Sequence, residues 1–190
     1  MSDLDLIWED EEISLVTSCP VFDLMKAKRQ SQDGHEADFF YMNTKNWVTV
    51  IPIQKNAQNE EEFLMVRQFR HGNRKIYTEF PAGIVNDDES PEETALRELE
   101  EEIGYTGRLT LIGQISPNPA LFSNVNYTYL AEDICPTQQG QHPDTEERLQ
   151  VISINTREVG RYMGIAPEFS HAIMVQAYYF FLRYRQRLQF

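Results

Sequence analysis

Residues 83–105 read GIVNDDESPEETALRELEEEIGY, and most of the fold and chemistry turns on this stretch. It holds a helix with both ends marked. Ser90 can cap, Pro91 suits the first turn, and Glu93 completes a capping box. Gly104 is a good C-terminal stop. At about 100° per residue, Leu96, Leu99 and Ile103 form one apolar stripe. Glu98, Glu101 and Glu102 fall together on another face, as i, i+3 and i+4 neighbours. Like charges at that spacing destabilise a helix unless something positive sits between them. Asp87, Asp88, Glu89, Glu92, Glu93 and Glu100 add to the acid density, and Arg97 is the only base among them. One reading is a solvated acidic face. The other is a divalent-metal site, since hard cations such as magnesium or manganese prefer carboxylate oxygens.

On either side of this helix the pattern is mainly β. Residues 47–53 and 62–69 read as strands, with polar residues 56–61 between them. A short strand over 76–80 ends at Pro81 and Gly83, where the chain must turn. Further strands are expected at 109–116, 126–131 and 149–154, with loop over 136–145. A C-terminal helix is expected from about Pro167 to Leu188, with Arg183, Arg185 and Arg187 near the negative end of its dipole. Before residue 44 there are short β-type runs at 13–17 and 37–42 and a polar turn, SQDGHE, around Gly34. Without a regular βαβα alternation, the fold class is α+β, a mixed-sheet sandwich. The expected organisation is a small N-terminal β subdomain over 1–44 and a main domain over 45–190.

The 190 residues suffice for one core with an additional small subdomain. Hydrophobic content of 41% and charged content of 25% are those of a soluble globular chain. No apolar run approaches the roughly 20 residues of a membrane span, and the acidic start MSDLDLIWEDEE is unlike a signal peptide. Cys19 and Cys135 stand far apart without metal-ligand neighbours, as reduced thiols do in a cytoplasmic protein. A formal charge of −13 argues against nucleic acid as a general partner. His35, His71, His142 and His171 are scattered and form no ligand set; exposed or capping positions suit them.

The spacing Gly83, five residues, Glu89, seven residues, Arg97-Glu98-Leu99, one residue, Glu101-Glu102, one residue, Gly104-Tyr105 resembles the box of the Nudix hydrolases. All seven of its fixed residue types are present, a coincidence on the order of 10⁻⁸ per starting point at average usage. Leu99 fits a bulky position, and Tyr105 stands where an aliphatic residue is more usual. The resemblance implies a Nudix-type mixed β-sheet sandwich between helices. It makes Glu98 and Glu102 the main metal ligands, Glu101 a further one, and the carbonyl of Ala82 part of the same sphere. Arg97 would hold Glu89 and fix the loop against the helix. Two to three Mg2+ or Mn2+ ions would offset the charge of a pyrophosphate, lower the pKa of an attacking water and fix in-line geometry.

Beyond the box, VRQFRHG followed by YTEFPAG resembles the ADP-ribose pyrophosphatase branch of that family. Arg70 takes the position that contacts substrate phosphates, and Glu79 either binds substrate or braces the loop. Pro119, about fifteen residues past the box, matches a feature of that branch; by itself it is a proline in a turn. DTEERLQV resembles an acidic loop that sets a late glutamate over the metals, which puts Glu147 there, with Glu146 one step away. The implied activity is hydrolysis of ADP-ribose to AMP and ribose 5-phosphate. Another nucleoside diphosphate sugar, such as GDP-mannose, is the alternative. A nucleotide-sensing module without chemistry would lack box carboxylates, and none is missing. The long N-terminal extension, Pro119 and the absence of basic patches count against triphosphate or RNA-cap substrates. The resemblance also implies a homodimer that exchanges N-terminal strands. Trp47, Phe39 and Phe40 could stack on adenine or serve packing, and Tyr178, Tyr179, Phe181 and Tyr184 suit core and interface.

Overall fold

The strand WVTVIPIQK, Trp47–Lys55, shows how the main core is made, because both its faces are apolar and both are covered. The computed structural model describes residues 3–185. In chain order these form β1 (Trp8–Cys19), β2 (Phe22–Ser31), β3 (Glu36–Asn43), β4 (Trp47–Lys55), β5 (Glu61–Arg70), β6 (Lys75–Glu79), β7 (Ala82–Ile84), α1 (Pro91–Ile103), β8 (Tyr105–Ile115), β9 (Asn126–Pro136), β10 (Gln150–Asn155), α2 (Thr156–Tyr162) and α3 (Ala172–Tyr184). Short 3-10 turns stand at Asp3–Leu6 and Pro167–Phe169.

The chain divides into two compact units. The larger holds residues from Asn46 to Ile115 and from Asn126 onward. Its sheet has the order β10-β5-β4-β9-β8, with β6 paired to β5 and β7 to β4. Residues 47–52 of β4 run parallel to β9, and residues 53–55 pair antiparallel with β5. Side-chain alternation then sorts the core into two layers. Val48 and Val50 join Leu64, Val66, Ala95, Leu99 and Ile103 on the α1 side. Ile51 and Ile53 join Phe63, Phe80, Leu130, Met174 and Phe181 on the α3 side. The sheet is mixed and lies between helices, as expected.

In the other unit, residues up to Lys45 fold with Ser116–Val125, and β1, β2 and β3 make an antiparallel sheet in that order. β2 is a strand that residue patterning leaves unassigned. Lys26 and Lys28 break up its apolar residues, but each meets carboxylates across the sheet: Lys26 Nζ lies 2.8 Å from Asp38, and Lys28 Nζ lies 2.7 Å from Glu11 and 2.8 Å from Glu36. The turn expected around Gly34 is present, with Gly34 at φ 83°.

Other expectations change. Pro167 opens only a 3-10 turn, and the chain breaks at Ser170 and His171 before α3 begins. Arg185 caps α3 and binds Glu61 at 3.1 Å instead of only facing the helix dipole; Arg187 and Leu188 lie outside the described residues. Past Pro81 the chain forms a short strand over 82–84, and 156–162 is a helix whose N-cap Asn155 side chain accepts from Arg157 N–H.

A further change concerns α1 itself. Its capping box and its left-handed Gly104 cap are present as read. The buried face, however, is Ala95, Leu99 and Ile103 beside Thr94, Glu98 and Glu102, and Leu96 is 37% exposed. The helix is rolled so that its glutamate row turns inward next to its apolar row, which leaves Leu96 outside. That roll positions the site.

Candidate active site

The chain leaves β6 through Glu79, Phe80 and Pro81, and Ala82–Ile84 then pairs with β4, Gly83 standing opposite Val48. The glutamate row of α1 packs against this segment. A Cβ at Gly83 would lie 1.8 Å from Glu98 Oε1, so only glycine admits the carboxylate there. Glu102 Oε2 accepts from the Ala82 N–H at 3.3 Å. Both carboxylates therefore converge on the backbone of residues 82 and 83.

Arg97 stands beside them with several acceptors. Its Nε donates to Glu89 Oε1 at 3.0 Å and its Nη2 to the Ile84 carbonyl at 3.2 Å. Its Nη1 donates to Glu98 Oε1 at 2.8 Å and to Glu101 Oε2 at 2.7 Å. Thr94 and Asn86 also donate to Glu89, at 2.9 Å and 3.2 Å. The loop is thus fastened to the helix through Glu89 and Arg97. Arg97 additionally neutralises two of the expected metal ligands.

Charge burial dominates the electrostatics. Burial pushes Glu98 up to about 7 despite Arg97, with Glu101 and Glu147 pushing the same way. Burial, then Glu98 and Glu147, hold Glu102 well above the usual carboxylate range, against the counter-pull of Arg70 and the Ala82 N–H. Glu147 is exposed as a residue, yet crowding of its carboxyl by protein and by Asp144 raises it, with Arg70 opposing. Hydrogen bonds from Arg97 keep Glu89 below its ordinary value.

The loop that carries Glu147 is tied to the end of α1. Gln141 Nε2 donates to the Glu102 carbonyl at 2.8 Å, His142 N–H to the Glu101 carbonyl at 2.9 Å, and Thr137 N–H to the Gly104 carbonyl at 2.8 Å. Carbonyls that a helix end leaves without partners are thereby satisfied. Glu147 N–H closes a turn on the Asp144 carbonyl at 2.9 Å. The structure brings Glu147 into the electrostatic field of Glu98 and Glu102, while Glu146 is an exposed turn residue.

Arg70 and Glu79 meet at the ends of β5 and β6. Arg70 Nε and Nη2 donate to Glu79 Oε2 at 2.9 Å and 2.6 Å, and Gln68 Nε2 donates to the same oxygen at 3.1 Å. The Glu79 side chain is fully buried. Oε2 of Glu79 thus accepts three hydrogen bonds from β5. His171, expected at an exposed or capping position, stands at the N-cap of α3 with its ring on Glu79. Nothing in the sequence signals that pair, which spans 92 positions. Pro119 lies in the smaller unit, in a turn where Leu121 N–H reaches the Asn118 carbonyl at 3.0 Å.

Among the described residues, no three His, Cys, Asp or Glu side chains are gathered as a finished metal-ligand set. Arg97 occupies one oxygen each of Glu98 and Glu101. The donor chemistry nonetheless fits a hard divalent cation. Two carboxylates, 8% and 1% exposed, face one glycine-lined backbone, and the donor that reaches Glu102 is an N–H instead of a cation.

The mixed sheet between helices has a counterpart among solved structures. A crystal structure of an ADP compounds hydrolase matches with a TM-score of 0.79 over 95% of this chain and 97% of that one, at 21% identity, which establishes the shared fold. The family model of the NUDIX domain matches residues 45–165, and the chain belongs to that family. An ADP-ribose pyrophosphatase of Bacillus subtilis is 35% identical over 101 residues, 53% of this chain and 55% of the relative. An ADP-sugar pyrophosphatase of Mus musculus is 38% identical over 116 residues, 56% and 51% respectively. The chain spans about half the length of these curated relatives. Among the described residues, no helix is long and apolar enough to cross a membrane.

Glu102→Gln keeps the shape of the side chain and removes a buried charge. In metal-free buffer at neutral pH the variant is expected to unfold at a higher temperature than the wild type. Millimolar manganese should raise the melting temperature of the wild type and not that of the variant. A variant less stable than the wild type without metal, yet equally stabilised by manganese, contradicts this account of the site.

Proposed function

We propose that the protein is a divalent-metal-dependent hydrolase that cleaves the diphosphate of ADP-ribose, or a closely similar ADP-sugar, ADP-ribose giving AMP and ribose 5-phosphate. The observation that carries this reading is the convergence of the buried Glu98 and Glu102 carboxylates on the Ala82–Gly83 backbone. The relatives named ADP-ribose pyrophosphatase and ADP-sugar pyrophosphatase support the substrate class.

Glu98 and Glu102 would hold the metal with the Ala82 carbonyl, and Glu101 would join them once Arg97 lets it go. A cation bound there, Mg2+ or Mn2+, supplies positive charge that a diphosphate needs before water can approach it. Arg97 keeps Glu89 in every case and so preserves the loop. Arg70 has N–H groups beyond the two spent on Glu79, and these suit phosphate oxygens. Glu147, with its raised carboxyl, suits the task of taking a proton from the attacking water.

Initial rates on ADP-ribose, GDP-mannose, dinucleotides and triphosphates, with magnesium and with manganese, test the substrate. ADP-ribose is expected to be turned over fastest; preference for a triphosphate or silence on every diphosphate overturns the reading. Glu147→Gln should lower kcat by roughly a hundredfold or more, within the range of general acid–base catalysis, and change KM little. Glu146→Gln should leave both close to wild type. The reverse pattern moves the base by one residue.

We propose further that the chain forms a homodimer through the smaller unit. Ile13, Leu15 and Phe39 share one face of its sheet around the fully buried Ala27, and are 48%, 57% and 36% exposed. A three-stranded sheet with such a face gains from a cover. Light scattering should give twice 22.2 kDa for the wild type and a shift toward 22.2 kDa for Leu15→Glu. A monomeric wild type ends this proposal.

A further inference from the structure

His171, at the N-cap of α3, reaches across to the end of β6, and its target is unusual. Glu79 is a carboxylate with no exposed side-chain surface, and burial alone would favour its neutral form. Hydrogen bonds and charge from His171 and Arg70 outweigh that effect and keep it below the ordinary carboxylate value. An ionised carboxylate only accepts, so His171 Nδ1 carries the hydrogen of the 2.8 Å contact in either charge state of the ring.

The two oxygens of Glu79 divide the work. Oε2 receives Arg70 Nε, Arg70 Nη2 and Gln68 Nε2. Oε1 receives His171. With one oxygen held from β5 and the other from α3, the carboxylate cannot turn about its own axis. A fixed carboxylate in turn fixes the plane of the guanidinium that lies against it edge-on. Arg70 then keeps its Nη1 group for another acceptor, and its 40% exposed side chain lies where its charge acts on both Glu102 and Glu147. Tyr77, 8% exposed, flanks the His171 ring with a centroid distance of 6.0 Å and limits its alternatives.

We propose that His171 is a positioning residue which, through Glu79, aims Arg70 at the diphosphate of the substrate. The proposal rests on the hydrolase reading given above. It assigns to the α3 start a part in substrate affinity that its sequence does not suggest. Because the effect passes through Arg70, it should vanish when Arg70 is absent. A side chain that merely stabilises the fold would act in both backgrounds.

The test is a double-mutant cycle on the full chain, with His171→Ala and Arg70→Ala singly and together, and His171→Asn, whose amide can still donate. Two readouts are taken: kcat and KM on ADP-ribose, and calorimetric affinity for inorganic pyrophosphate with the metal present. His171→Ala is expected to raise KM and weaken pyrophosphate binding by roughly tenfold, the scale of one charge-assisted hydrogen bond, with kcat within about threefold of wild type. His171→Asn should recover most of the affinity. In the Arg70→Ala background, His171→Ala should change either quantity less than twofold. Equal losses in both backgrounds, or a loss that Asn does not recover, overturn the proposal. If the wild type leaves ADP-ribose intact, the substrate reading fails by itself, and the pyrophosphate affinities still decide the role of His171.

Discussion

An ionised carboxylate taken out of water loses several kcal/mol of hydration even after the protein relaxes around it. The α1 helix takes two within one turn, Glu98 at 8% exposure and Glu102 at 1%. Three neighbours of these carboxylates answer that cost. Gly83 has no side chain because Glu98 needs the space. Ala82 turns its N–H to Glu102, and Arg97 spreads one guanidinium over Glu89, Glu98 and Glu101. What these groups leave uncompensated shows in the raised carboxyls of Glu98 and Glu102, whose ionised forms a divalent cation would favour.

The scaffold makes such an arrangement tolerable. Leu99 and Ile103 lie in the row beside the glutamates and bury against Val48, Val50, Leu64 and Val66, so apolar packing holds α1 where its charges alone would not. The capping box at Ser90 and Glu93 and the Gly104 cap fix where the helix starts and stops, and hence which residues face inward. The loop after Thr137 satisfies the terminal carbonyls of the same helix and leads to Glu147. From the opposite layer, α3 contributes His171 to Glu79 and so reaches the Arg70 end of the site. Helices on both faces of the sheet therefore bear on one acidic centre.

Much of this was legible in the residues, and the exceptions have a common cause. Caps, the turn at Gly34 and the strands β4, β5, β8, β9 and β10 follow from local propensity and alternation, which act over a few positions. The Nudix box marked the carboxylates because its spacing is local too. The roll of α1 was not legible: Leu96 and Ala95 compete for the inward row, and only the shape of the sheet decides for Ala95. Nor was β2, whose lysines look like a polar loop until Glu11, Glu36 and Asp38 are brought alongside. His171 is the extreme case, a partner 92 positions from Glu79 with no motif of its own. Arg97 gathers Glu98 and Glu101 of its own helix and Glu89 of the preceding loop onto a single guanidinium.

We propose that the glutamates buried on α1 serve to hold a divalent cation. Diffraction from crystals soaked with manganese, recorded where manganese scatters anomalously, tests it most directly. An anomalous peak is expected in contact with the Glu98 and Glu102 carboxylates and the Ala82 carbonyl, with Arg97 withdrawn from Glu98 and still bound to Glu89. A peak elsewhere, or none while Arg97 stays on Glu98, would contradict it.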